Sequence, residues 1–273
     1  MRLLVTGAGG MLGQEVVRAA AEHEVVALTH ADLDVTDRAA VERSVADARP
    51  DVVINCAGFT DVDGAESHED AATLLNGNAA GYLAAAAPAI VHPSTDYVFD
   101  GSKRTPYVES DPTSPRSAYG RSKLAGERAV AANPRHFIAR TSWLFGAGGK
   151  NFVDTMLGLA ADRDELKVVD DQLGCPTYAA HLASALVELA EGDSYGVHHV
   201  AGGGECSWFA FAGEIFRRAE VDVNLVPCTT AEFPRPAPRP AYSVLASERP
   251  DAIRLPSWHE GLAAYLAERA PAR

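Results

Sequence analysis

Two hydroxyls, a phenol and an amine stand out in this chain as groups able to move a proton. Ser94 and Thr95 end an apolar run in STDYVFDG (Ser94 to Gly101), followed at once by Asp96 and Tyr97. Tyr119 and Lys123 lie four residues apart in SAYGRSKLAGE, the spacing that puts two side chains on one helix face. An ammonium beside a phenol stabilises the phenolate and lowers a pKa that is otherwise ~10. The expected chemistry is proton transfer at a carbonyl. Thr95 hydrogen-bonds the carbonyl oxygen, Tyr119 protonates it, and Lys123 tunes the phenol. Taken alone, neither pair says much. Tyrosine and lysine at this spacing are common on solvated helices, and a Ser-Thr pair can simply end a strand. Their meaning depends on what positions them.

The first element is a glycine turn. VTGAGGMLG follows an opening apolar run with Gly7, Gly10 and Gly13 in GxxGxxG spacing, while Leu12 stands where a GxGxxG pattern needs its last glycine. Glycines in this setting permit a tight turn, a close backbone approach to a pyrophosphate, and helix–strand packing. The following helix N-terminus offers free amides and the positive end of its dipole to phosphates. A dinucleotide cofactor is therefore expected. After the second strand, Thr29 and His30 occupy the place where an NAD-preferring site usually carries an acid. NADPH is the expectation, with NADH as the alternative. Asp34 and Val35 are placed to contact adenine, Ala57 with Gly58 supplies a small-residue floor, and Lys123 can hold the ribose, so Tyr119 and Lys123 are cofactor contacts as well.

Six short runs rich in Val and Ile read as buried parallel strands: RLLVT, EVVAL, DVVINCA, AIVHPS, HFIART and GVHHVA. Between them lie alanine-rich helical segments, among them AATLLNGNAAGYLAAAA as one continuous helix. Strand alternating with helix predicts an α/β, doubly wound parallel sheet of Rossmann type. Ser94 and Thr95 then end the fourth strand, on the edge where such sheets bind ligands. The pattern loosens from about Gly146 to Thr177 and again after Gly202. These stretches predict a small C-terminal lobe, so residues 1–146 and 178–202 form the dinucleotide-binding part and 147–177 with 203–273 the lobe. FPRPAPRPAYSVL is too proline-dense for helix and reads as an extended arm. Phe233, Tyr242, Val244 and Leu245 are its candidate anchors.

The 273 residues are 47% hydrophobic and 22% charged, with a formal net charge of -13. That balance argues against nucleic acid or an anionic membrane as partner. No apolar run is long and unbroken enough for a membrane helix. Four scattered cysteines without metal-ligand spacing fit a reduced, cytoplasmic protein.

STDYVFDG, YGRSKLAGE, RTSWLFGAGGKNF, DDQLGCPT and RPAPRPAYSVL together resemble the extended short-chain dehydrogenase/reductase family over nearly the whole chain. The resemblance is narrower to the branch that reduces dTDP-4-dehydrorhamnose. It implies a dTDP-sugar substrate, with Thr95, Tyr119 and Lys123 catalytic. It also implies cofactor contacts at Gly10, Met11, Leu12, Thr29, Asp34, Val35, Gly58, Phe59 and Thr60, and substrate contacts at Thr95, Asp96 and Trp143. Asn151 is a further candidate substrate contact, with loop capping as its alternative. Asp96 is followed by Tyr97 rather than by a second acid, which fits simple reduction better than dehydration. Some members use Mg²⁺ held by glutamates at a dimer contact. Glu15 is the candidate here, but no metal site is assigned. A homodimer is the quaternary state this admits. The rival readings are another dTDP-4-keto-sugar reductase, such as a dihydrostreptose-type synthase, and a non-catalytic regulatory subunit of the same fold.

Overall fold

The computed structural model describes residues 1–269. Six strands form one parallel sheet: β1 (Arg2–Thr6), β2 (Glu24–Leu28), β3 (Val52–Asn55), β4 (Ile90–Thr95), β5 (His136–Thr141) and β6 (Gly196–His199). They are the six runs expected, and their order is β6-β5-β4-β3-β1-β2. Among the longer helices are α1 (Met11–Ala19), α2 (Arg38–Ala48), α3 (Ala79–Ala86), α4 (Ala118–Val130), α5 (Phe152–Asp162), α6 (Ala179–Glu191), α7 (Trp208–Ala219) and α8 (Trp258–Arg269).

Period-two alternation explains why the sheet is covered on both faces. Leu3 and Val5 of β1 face a cluster holding Val16 of α1 and Leu182 and Leu186 of α6. Leu4, between them, faces Val41 and Val45 of α2, Leu83 of α3 and Val130 of α4. Several helices start where a side-chain oxygen satisfies a free amide. Asp37 caps α2, Ser117 α4, Asn151 α5 and Ser207 α7.

From β1 the chain crosses to β2 on one side, and every later strand is added on the other side beyond β3. The carboxyl ends of β1 and β3 flank this reversal, the place where open parallel sheets bind ligands.

Two expectations need revision. The segment 71–87 is not one α-helix: a helix over Glu69–Thr73 runs into a π-helical turn at Leu74–Asn78 before α3 begins. The two loosened stretches are also more regular than expected. They hold α5, α7 and α8, and the strand pair Glu165–Val169 with Asn224–Cys228. Their core includes Phe145, Met156, Phe211, Ile215, Trp258 and Tyr265. Clustered aromatics and the internal Gly158, Gly213 and Gly261 blur the helical pattern of these segments.

The proline-rich arm is extended and fixed. Leu173 N–H donates to Ala241 O at 2.9 Å, Ser243 N–H to Leu173 O at 2.8 Å, and Tyr107 N–H to Val244 O at 2.8 Å. Of its expected anchors, Val244 and Leu245 are buried and Tyr242 packs against the Val98–Phe99 cluster. Phe233 is not an anchor, being 48% exposed. Ala237 is buried instead, where Asp63 holds the arm through the Ala237 N–H at 3.2 Å and through the Arg239 guanidinium.

Candidate active site

β4 delivers Thr95 to the carboxyl edge of the sheet, and α4 brings Tyr119 and Lys123 up against it. Pro93 lies inside this central strand, where a residue without N–H is ordinarily excluded. It is tolerated because β3 pairs with β4 only at Ile90 and Val91. Beyond that the ladder opens, and the Pro93 carbonyl accepts the Lys123 ammonium at 2.6 Å. Burial lowers the Lys123 pKa to about 8, with Glu127 pulling the other way.

The expected tuning of the phenol by Lys123 is not what the structure contains. Burial, reinforced by the nearby Asp96 carboxyl, pushes Tyr119 up to about 12, and the Thr95 hydroxyl only partly offsets this. Lys123 is not among the leading influences on this phenol, and its ammonium is engaged with Pro93 O. Tyr119 is thus firmly protonated at neutral pH, a ready donor rather than a phenolate. Tyr97 packs edge-on against it, with ring centroids 5.6 Å apart.

Close packing fixes α4 in place. A Cβ on Gly120 would stand 2.3 Å from the Tyr97 carbonyl oxygen, and one on Gly126 2.2 Å from that of Asn76. Asn76, in the π turn, is a residue the sequence reading missed. Its Oδ1 accepts the Phe59 N–H at 2.8 Å, while its amide donates to Phe59 O at 3.1 Å and to the Ser122 hydroxyl at 2.9 Å. One buried side chain therefore ties the loop after β3 to the helix carrying Tyr119. Below it, Ser94 donates to Glu127 at 2.5 Å, and Arg140 of β5 grips both Glu127 oxygens at 2.9 and 2.8 Å.

The glycine turn divides into two roles. Gly7 has φ +65°, and a Cβ there would lie 2.6 Å from Ala57 N; one on Gly13 would lie 2.2 Å from Gly7 O. These two are required by the fold. Gly10 meets nothing closer than 3.4 Å, and α1 begins there without any side-chain cap. The uncapped N-terminus at Gly10, Met11 and Leu12 fits a pyrophosphate. Ala57, Gly58 and the half-buried Phe59 follow β3 beside it, with Thr60 exposed.

At the end of β2 a carboxylate is present after all. Asp32 folds back so that its Oδ2 accepts the Thr29 N–H at 2.9 Å and the Thr29 hydroxyl at 2.7 Å. Those bonds hold it below the usual carboxylate range. His30 is exposed next to it. Asp34 binds Thr36 through Oδ1, and the Val35 side chain lies in the core with Leu33 and Val41, turned from the surface where adenine was expected.

The expected substrate residues fare unequally. Trp143 is half-buried with φ +46°, a strained setting for a bulky residue. It stacks on Trp208 with centroids 3.5 Å apart and planes 5° off parallel. A Cβ on Gly174 would lie 2.4 Å from its ring. Trp208, which the sequence reading did not single out, is oriented by its indole N–H to Gln172 Oε1 at 3.2 Å. Asn151 is a correction. Its Oδ1 caps α5, and its amide faces Gly146 O, Gly149 O, Asp154 and Tyr265, so no polar atom is left for a substrate. Asp96 is only 1% exposed and accepts the Thr95 hydroxyl at 3.1 Å. Glu15 is buried and both its oxygens are taken by Arg18 at 2.8 and 2.7 Å. Among the described residues of the chain no group of three or more metal-capable side chains exists.

A serine-threonine strand end, a helix face with a half-buried tyrosine and a buried lysine, and a glycine turn at the sheet's reversal point now stand together. Residues 1–270 match the family described as the RmlD substrate binding domain. The chain belongs to that family. A probable dTDP-4,6-dihydroxy-2-methyloxan-3-one 4-ketoreductase of Streptomyces antibioticus is 49% identical, covering 91% of this chain and 88% of the relative. A dTDP-4-dehydrorhamnose reductase of Burkholderia thailandensis is 46% identical, covering 94% and 95%. Among family structures, the dTDP-4-dehydrorhamnose reductase of Bacillus anthracis in complex with NADP superposes with a TM-score of 0.94 at 39% identity, covering 98% and 99%.

Proposed function

We propose that the chain catalyses the NADPH-dependent reduction of dTDP-4-dehydro-L-rhamnose to dTDP-L-rhamnose. The observation that supports this most is the meeting of Thr95, Tyr119 and Lys123 at the end of β4, in a chain whose relatives include enzymes named for this reaction. A reduced nicotinamide supplies the hydride for the C4 carbonyl when bound. Gly7, Gly10, Met11, Leu12 and Gly13 hold the pyrophosphate, Thr29, His30 and Asp34 border the adenosine end, and Ala57 to Thr60 form the floor. Tyr119, kept neutral by burial, donates its proton to the carbonyl oxygen. Thr95 hydrogen-bonds that oxygen, and the Lys123 charge stabilises the anion as it forms. Trp143 and Trp208 wall the sugar. Residues 147–177 and 203–273 make the substrate lobe, and a cytosolic homodimer belongs to the same reading.

One observation keeps a second reading alive: the 49% identity to a 4-ketoreductase named for a different dTDP-keto sugar. A non-catalytic regulatory role fits less well, because a binding module has no use for Thr95, Tyr119 and Lys123 together.

The test is loss of reduced-nicotinamide absorbance with enzymatically generated dTDP-4-dehydro-L-rhamnose, with NADPH and NADH in parallel. The expected result is dTDP-L-rhamnose, with Tyr119→Phe lowering kcat about 10²- to 10⁴-fold, the range for general acid catalysis. Unchanged activity in Tyr119→Phe overturns the proton donor. No turnover despite tight cofactor binding overturns the substrate.

A further inference from the structure

Trp143 follows β5 of the central sheet, and Trp208 is the first residue of α7. Trp143 keeps φ +46°, and a bulky residue stays in that region only where its surroundings over-determine it. What holds it is a clamp. One face of its indole is covered by Trp208, with centroids 3.5 Å apart and planes 5° off parallel. The other is covered by Gly174. A Cβ on that glycine would lie 2.4 Å from Cε2, and 2.6 and 2.7 Å from the ring neighbours Nε1 and Cζ2. A group arriving in the ring plane would be nearer to those neighbours than to Cε2, so the glycine sits over the ring. A stack 3.5 Å deep leaves no room for it on the Trp208 side. The half-buried indole therefore presents its rim, not a face, to the outside.

Both jaws hang from one short ladder. Leu173–Gly174 pairs antiparallel with Cys206–Ser207, with Cys206 opposite Gly174 and Ser207 opposite Leu173. The next rung in that register sets Gln172 against Trp208. The ladder ends there, because α7 begins, and side chains close the rung instead. The Trp208 indole N–H donates to Gln172 Oε1 at 3.2 Å.

The direction of every bond in this row is forced. An indole only donates, so it needs an acceptor. Gln172 must then turn its Nε2 the other way, where it donates to the Thr230 hydroxyl at 2.9 Å. Thr230 gives its single hydroxyl hydrogen to Asp171 Oδ1 at 2.6 Å. Its backbone N–H reaches the same carboxylate at 2.9 and 3.0 Å. Gln172 is 7% exposed, and both ends of its amide are engaged inside the protein.

We propose that Gln172 is a positioning residue for the sugar nucleotide: it latches Trp208 to the ladder, keeps Trp143 clamped, and so fixes the indole wall that the sugar meets. The inference rests on the reading that Trp143 and Trp208 wall the sugar. Gln172 acts only through Trp208. Without it the stack is free to part, while Thr95, Tyr119 and Lys123 keep their places on β4 and α4. The effect belongs to the KM for the sugar and not to kcat.

The experiment is steady-state kinetics of Gln172→Leu with dTDP-4-dehydro-L-rhamnose and NADPH, beside near-ultraviolet circular dichroism of the ligand-free protein. The chain has three tryptophans, and Trp208→Phe shows what the stacked pair adds to the spectrum. The expected KM for the sugar is about three- to tenfold higher, the measure of one hydrogen bond. The expected kcat and KM for NADPH are nearly unchanged, and the pair's part of the spectrum is diminished. Thr230→Val, which removes the hydroxyl anchoring Gln172, should repeat both changes in smaller measure, and Thr230→Ser should restore both. A KM for the sugar that stays at the wild-type value overturns the proposal. A raised KM with an unaltered spectrum makes Gln172 a direct substrate contact and overturns it too. So does a fall in kcat together with a raised KM for NADPH, the mark of a general loosening. If Gln172→Leu does not fold, the two Thr230 variants decide on the same readouts. A wild type that does not turn over this sugar fails the parent reading, a result seen before any variant is made, and the inference falls with it.

Discussion

Single residues here are read best by asking which atoms are already engaged. Asn151 looked like a substrate contact from its motif, but α5 needs a cap and four acceptors surround its amide. Nothing in the order of residues announces that. Asp32 was hidden for the opposite reason: the acid sits three places after Thr29 and reaches it only because the chain turns back. An exposed carboxylate at that corner repels a 2′-phosphate. Solvent screens such a repulsion only in part, so Asp32→Asn should raise the NADPH-to-NADH ratio of kcat/KM a few-fold. Paired steady-state assays measure it, and an unchanged ratio removes Asp32 from cofactor choice. The glycines separate in the same way. Gly10→Ala should weaken NADPH binding with the melting temperature nearly unchanged, whereas Gly13→Ala, forced against Gly7 O, should lower it; titration calorimetry and thermal melts distinguish the two.

At the level of elements, the six strands were legible because a strand buried on both faces can hardly be anything but Val, Ile and Leu. The π turn was not. Leu74–Asn78 carries residues that suit an α-helix equally well, and the widened turn exists because Asn76 has three partners to reach. Asn76→Ala leaves the Phe59 amide and carbonyl without their side-chain partner. A cost of about 1–3 kcal/mol follows for the buried groups, with kcat falling alongside; urea titration and turnover report the two. The buried Arg140–Glu127 pair, each side chain 5% exposed, makes a sharper case. Arg140→Ala should cost about 3–5 kcal/mol by leaving Glu127 uncompensated. Replacing the pair together by Met and Leu should cost less than either single change, although Ser94 then loses its acceptor. Equal losses in the single and double variants argue against a charge-pair origin.

For the molecule as a whole, the extended arm was readable from its prolines, while its fastening was not. Phe233, one of four expected anchors, is half-exposed, while Asp63, far off in sequence, helps to hold the arm. Burial works against ionisation there, yet Arg239, the Ala237 N–H and Arg235 keep the Asp63 carboxyl below its ordinary range. Asp63→Ala should free the arm from the loop after β3 and raise KM for the sugar nucleotide about fivefold, in line with ~1 kcal/mol for a part-exposed pair. The Kd for NADPH should stay put, and a matching loss in both overturns the separation.

That fastening also fixes an order of assembly. A chain is made from its N-terminal end at roughly 5–20 residues per second, so the glycine turn, β1 to β5, Thr95, Tyr119 and Lys123 all exist before residue 150 is joined. Pro238 and Pro240, which line a pocket with Tyr97 and Ser117, come about ninety residues later. On the proposed reading, the chain under synthesis thus completes its dinucleotide site before the pocket behind its own tyrosine. A chain that stops short of the arm is expected to be an inert cofactor binder, competing with finished molecules for NADPH.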